Sequence, residues 1–193
     1  MKHRITPRTV VAIVVPLVVV AIVVAGMAFA VSRDSGGADA YTIDGKSVSQ
    51  ATINREFDVL ASNKLVLSNT AGSVSAVAAA SWLTTRIRTE GVGILLEDND
   101  LEVTGEVRAT VRQQIPNFEQ LPRSIQDIVY TFSGGGQLIV DKLGEDGANA
   151  ALAKVLRTFA ISVDPKYGRW VPARAEVCPV TGCPAAADSA AGG

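Results

Sequence analysis

Residues 10–31 read VVAIVVPLVVVAIVVAGMAFAV, twenty-two positions without a charged or strongly polar side chain. As a helix this run is roughly 33 Å long, enough to cross a hydrocarbon core of about 30 Å. A helix is the one spanning structure open to a single apolar segment, because lipid offers its backbone no hydrogen-bond partners. Pro16 falls about two turns in, where a kink is tolerated. Lys2, Arg4 and Arg8 lie on the short N-terminal side, while Arg33 and Asp34 roughly cancel on the other. The positive-inside rule then keeps residues 1–9 in the cytoplasm as a stub and places everything after residue 31 outside it. A cleaved signal peptide is the alternative: Ala28-Phe29-Ala30 fits a small-x-small cleavage site, so the chain would be secreted after Ala30. The apolar run exceeds the usual signal length, which favours a single-pass anchor in the cell membrane.

Three of the eighteen Lys and Arg residues precede the apolar run and no acidic residue does, leaving fifteen basic against nineteen acidic residues outside, a net −4. That balance argues against a nucleic-acid partner. The only histidine is His3, on the cytoplasmic side. The exported part therefore has no imidazole for a Ser-His-Asp or Cys-His arrangement, or for a histidine-bearing zinc site. No catalytic residue, metal ligand or cofactor is expected, and the chain does not read as an enzyme.

Residues 32–39 are small, polar and glycine-rich, the composition of a flexible linker. Tyr41–Val48 forms two short strand-like runs about Asp44-Gly45, a pair favoured in type I′ hairpins. Ser49 is a good N-cap for a helix with Ile53, Phe57 and Leu60 on one face, ending near Ser68. A long helix from about Ser73 places Ala76, Ala80, Leu83, Ile87, Gly91 and Ile94 on one side, with Gly91 and Gly93 allowing close approach of another helix. The acidic turn Glu97–Asp100 lacks the spacing of an EF-hand loop and reads as solvated. Thr104 caps a third helix that Pro116 ends. A further helix from about Pro122 carries Ile125, Val129, Phe132, Gly136, Ile139 and Leu143. Gly134-Gly135-Gly136 makes it one weakened helix with a hinge, or two helices. A phosphate loop is excluded because no Lys-Ser/Thr follows.

Leu152, Val155, Leu156 and Phe159 mark the last helix, and residues 160–163 the strand that the hairpin needs as a partner. The expected fold is mainly α with a small β-sheet, the hairpin at about 41–48 pairing with a strand at about 160–163. Residues 171–193 are rich in Pro, Ala and Gly without apolar periodicity and read as a disordered tail. Cys178 and Cys183 lie in it. Outside the cytoplasm a local disulfide is their expected state, with free thiols the alternative.

Several of these stretches together resemble a known family. They are Asp44-Gly45-x-x-Val48-Ser49, Trp82-Leu83 in the long helix, Leu101-Glu102-Val103-Thr104 before the next, and Val163-Asp164-Pro165-Lys166-Tyr167-Gly168-x-Trp170 at the close. Residues 40–170 are similar to the SurA N-terminal domain family of bacterial envelope chaperones, relatives of PrsA foldases and the trigger-factor peptide-binding domain. The resemblance implies a helical cradle for unfolded or newly exported polypeptides, acting without ATP. Many relatives also carry a parvulin prolyl-isomerase domain. The 23 residues after Trp170 are too few for one, so isomerase activity is not expected. Leu65, Val66, Leu67 and Trp82 are candidate client contacts, with ordinary core packing the alternative for each. The competing functional expectation is a non-catalytic envelope scaffold that binds one defined partner.

Overall fold

The computed structural model describes residues 37–183 apart from 66, 67, 71 and 72, with backbone alone at 68–70 and 73. The apolar run 10–31, the cleavage site after Ala30, and Val66 and Leu67 lie outside the described residues, as do residues 184–193. Among the described residues no helix is long and apolar enough to cross a membrane.

The chain enters through a hairpin, β1 (Asp39–Ile43) and β2 (Lys46–Ser49). Asp44 and Gly45 both take positive φ, 49° and 78°, as a type I′ turn requires. Ser49 then caps α1 (Gln50–Ser62), its side chain accepting from the Thr52 amide. Here the expected length was too great. α1 stops six residues early, in a Schellman motif: Lys64 adopts φ 57°, its amide donates to Ala61 O, and the Leu65 amide donates to Leu60 O. Lysine in place of the usual glycine hides that stop in the sequence.

After a short hairpin of β3 (Ser68–Thr70) and β4 (Ser73–Val74), Ser75 caps α2 (Ala76–Asp98), the central helix. It is buried on several sides, through Trp82, Leu83, Ile87, Gly91, Val92, Leu95 and Leu96. Ile94, expected on the core face, is exposed, because Leu95 follows Gly91 by a full turn and takes that place. The acidic turn is α2's own Schellman end: Asp100 has φ 53°, and the Asp100 and Leu101 amides donate to Glu97 O and Leu96 O.

Thr104 caps α3 (Gly105–Gln114), and a short 3-10 turn leads to α4 (Arg123–Val129). From α4 the chain continues through a π-helical segment, residues 130–135, directly into α5 (Gly136–Leu143). The three glycines do not break the helix: Gly134 and Gly135 sit in a wide turn that remains helical, and Gly136 opens α5. A Cβ at Gly134 would lie 2.7 Å from Val107 Cγ1 of α3, and one at Gly135 would lie 2.8 Å from Leu96 Cδ1 of α2. Both glycines are contact surfaces. Leu143, the last residue of α5, is exposed rather than core. Gly144 turns the chain into α6 (Glu145–Thr158).

β5 (Ile161–Val163) returns to the beginning. The sheet order is β2-β1-β5, antiparallel, with Tyr41 opposite Val163, Thr42 opposite Ser162 and Ile43 opposite Ile161. The hairpin turn is fastened to the incoming strand: Asp44 N donates to Ala160 O (3.0 Å), and Ala160 N donates to Asp44 Oδ1 (2.7 Å). The Asp164–Gly168 segment locks this closure. Asp164 accepts from Gln50 Nε2 at 2.7 Å, and Lys166 Nζ donates to Gln50 Oε1. Tyr167 is fully buried edge-on to Phe57 and donates to Asn54 Oδ1 at 3.2 Å. Burial, reinforced by the Asp164 charge, pushes its phenol up to about 12.

The expectation of disorder from residue 171 is corrected. β6 (Arg169–Val171) and β7 (Glu176–Cys178) form an antiparallel hairpin whose Ala175, Val177 and Cys178 are buried, and β7 lies on α2. Strands of three residues are too short to carry a periodic signal, so the sequence did not reveal them. The folded unit therefore runs past Trp170 to at least Cys183. Cys178 and Cys183 are joined as a disulfide, with Cα atoms 4.8 Å apart.

Gly168 is fixed by this hairpin. It has φ 134°, and a Cβ there would lie 2.0 Å from the Cys178 carbonyl oxygen, a backbone atom that cannot step aside. Gly93, in α2, has open space at its Cβ position. Gly168→Ala should therefore destabilise by on the order of 3 kcal/mol, whereas Gly93→Ala should stabilise by about 1 kcal/mol. Urea unfolding followed by circular dichroism checks both signs.

Candidate binding cleft

Two polar assemblies lie near the middle of α2, and only one faces solvent. The buried one joins three elements. Glu56 of α1 accepts from Trp82 Nε1 at 2.8 Å and pairs with Arg86, whose Nε donates to the Tyr41 hydroxyl of β1 at 2.8 Å. Trp82 and Arg86, one turn apart on α2, face the same way. Burial would lower the Arg86 guanidinium, but Tyr41 and Glu56 outweigh it and the net shift is upward. Tyr41 is raised by burial, with Arg86 opposing. Every buried polar side-chain atom among the described residues has a hydrogen-bond partner. Trp82 is thus a core residue, 8% exposed, and not a surface contact. Leu65 is half-buried and packs on the same core. The Glu56–Arg86 pair leaves no direct sign in the sequence, since the partners are thirty residues apart. The Trp82/Arg86 spacing was the only available hint.

The second assembly opens one turn further along. α2, α5 and α6 enclose a cleft of about 170 Å³. Its walls are Val92 and Leu95 of α2, Phe132 of the π-helical segment, Ile139 and Val140 of α5, and Ala148 and Leu152 of α6. The glycines explain why a gap exists here. Gly91 lets α6 press against α2, where a Cβ would lie 2.8 Å from Leu152 Cδ1. Gly135 does the same for the π-helical segment. Gly136, next along, has nothing within 4 Å of its Cβ position and leaves the cleft open.

Arg88 and Asn149 stand at one end of the cleft and also line a second lobe of about 180 Å³, together with Leu152, Ala153 and the β6–β7 turn at Ala173–Ala175. The turn holds Arg88 in place: its Nε donates to Ala175 O at 2.9 Å and its Nη2 to Arg174 O at 3.4 Å. The nearby Glu176 carboxylate is engaged by Arg174 Nε at 2.8 Å. Among the described residues no carboxylate lies within ion-pair distance of Arg88. Burial pushes its guanidinium down from its ordinary value, with the Glu176 charge opposing. It nevertheless keeps its proton. The cleft therefore combines an apolar wall with one fixed cation lacking a carboxylate partner. None of its lining residues was singled out in the sequence as a contact, because they come from four separate elements.

Glu176, Cys178 and Cys183 place ligand atoms within 4.8 Å of one another. The two sulfurs are bonded to each other, and the carboxylate is bonded to Arg174, so this group is not arranged as a metal site. No known family, curated protein or solved structure matches the chain.

The buried pair that orients α2 has a measurable signature. Arg86→Leu leaves Glu56 buried without its counter-charge and should cost about 3–5 kcal/mol. Adding Glu56→Met should recover much of that loss, since both charges are then gone. A double-mutant cycle by urea unfolding reads the coupling; simple additivity would refute it.

Proposed function

We propose that this chain is a membrane-anchored, extracytoplasmic polypeptide-binding protein, an ATP-independent holdase for unfolded or newly exported chains. The observation that carries the reading is the open apolar cleft between α2, α5 and α6. With an adjoining lobe of about 180 Å³ beside it, the apolar lobe alone is about 170 Å³, less than the roughly 300–1,000 Å³ of a complete cofactor or drug-sized site. It suits one side chain of a longer chain. The apolar run 10–31 and its basic flank support an anchor with the domain outside, and the resemblance of residues 40–170 to the SurA N-terminal family supports the same activity.

The mechanism follows from the size of the site. Burying one Leu- or Phe-sized side chain contributes about 1.5–3 kcal/mol. A millimolar dissociation constant already requires about 4 kcal/mol. One occupied cleft thus holds a client weakly, and release needs no nucleotide. Phe132, Val140 and Leu152, each half-buried and lining the cleft, take the contact role that Trp82 cannot fill from the core. A tether multiplies such weak contacts by keeping many copies near one membrane surface.

The test uses the full-length chain in lipid nanodiscs and a chemically unfolded client followed by light scattering. Wild type should slow aggregation at stoichiometric amounts, equally with and without ATP. Gly136→Leu fills the cleft from its open side and should return the rate to that of empty nanodiscs while the unfolding midpoint is retained. Aggregation unaffected by the wild-type chain would overturn the reading.

A further inference from the structure

The cleft is not simply apolar, and its second lobe says what else the occupant carries. Two guanidinium groups and Asn149 line that lobe, and no acidic residue does. One guanidinium, Arg174, is paired with Glu176. Arg88 is not paired with a carboxylate, and it is held by two backbone carbonyls through Nε and Nη2, which leaves Nη1 without a partner among the described residues. A half-buried guanidinium fixed in this way is pre-organised for a carboxylate, since little side-chain freedom remains to be lost on binding.

From this geometry we infer that the cleft selects extended peptide segments in which an apolar residue is followed, two positions on, by Asp or Glu. The apolar side chain fills the lobe between Val92 and Val140, and the carboxylate meets Arg88 beside Asn149. Residues i and i+2 of an extended chain point to the same side, about 7 Å apart, so one such pair can enter two lobes that adjoin through the shared Arg88, Asn149 and Leu152. The groove continues past Arg88 toward Ala173 and Arg174 instead of closing on it. The occupant's backbone therefore has room to run on, and the charge belongs to a side chain and not to a chain end. This inference rests on the holdase reading and adds a sequence preference to it.

The test is fluorescence anisotropy of the full-length chain in nanodiscs with labelled eight-residue peptides, blocked at both ends. The parent peptide carries Leu and, two residues later, Asp in a Gly/Ser background. Replacing that Asp by Asn should weaken binding at least tenfold, as should replacing Leu by Ser. On the protein side, Asn149 is exposed, so Asn149→Asp places a carboxylate beside Arg88 without disturbing the core. It should weaken the Asp peptide at least tenfold and leave the Asn peptide unchanged. Arg88→Gln should do the same, with an unfolding midpoint showing that the β6–β7 turn has stayed in place. Equal binding of the Asp and Asn peptides would overturn the inference. So would binding that follows a free α-carboxylate, or self-association of the chain that Asn149→Asp abolishes, which would assign the cleft to a second copy. If these peptides fail while aggregation is still suppressed, the preference falls and the holdase reading stands. Loss of both removes the two together.

Discussion

Everything in this domain depends on the antiparallel pairing of β1 with β5. The two strands are far apart in sequence, and the six α-helices among the described residues lie between them. Closing so long a loop costs entropy that grows only slowly with length. The return comes from a compact set of contacts: two backbone bonds flanking the pair, the Asp164–Gln50–Lys166 hydrogen bonds, and Tyr167 buried against Phe57. A three-residue strand would not hold by itself. It holds because α1 starts directly from β2 and carries Gln50, Asn54 and Phe57 to the place where the Asp164–Tyr167 segment arrives.

From that closure the positions of the helices follow. The Glu56–Arg86–Tyr41 network ties the first half of α2 to α1 and β1, the β6–β7 hairpin is bonded to the middle of the helix at Thr84 and Arg88, and the second half projects away as a platform for α5 and α6. Spacing along the platform is then set by where side chains are missing. Gly91 and Gly135 bring neighbouring helices into contact, and Gly136 leaves an opening between those contacts. The cleft is what remains when two tight approaches flank a position that nothing fills. The β6–β7 turn, whose carbonyls hold the Arg88 guanidinium, fixes a charge at its end.

Local chemistry made much of this legible. Asp44-Gly45, Ser49, Thr104 and Pro122 each mark a turn or helix start through their own backbone preferences, and the structure follows them. The β1–β5 pairing was legible because a lone hairpin needs a third strand and residues 161–163 were the remaining candidate. What failed to show has equally physical reasons. Lys64 occupies a left-handed helix stop where glycine is the usual signal. Gly134 and Gly135 are defined by neighbours distant in sequence, and a local reading sees only their low helix propensity. β6 and β7 are too short for alternation to register. The cleft was invisible for the same reason as the Glu56–Arg86 pair: both are assembled from elements that meet only after the ends have closed.

The most direct test of that closure is native-state hydrogen exchange at the Asp44 and Asp164 amides, which donate to Ala160 O and Ala40 O across the β1–β5 pair. If the helices depend on the end-to-end sheet, these two amides should open with the same free energy and denaturant dependence as those of Leu83 and Ile87 in the middle of α2. Exchange through a low-energy opening that leaves the α2 amides fully protected would contradict the account, because the helical body would then stand without its closure.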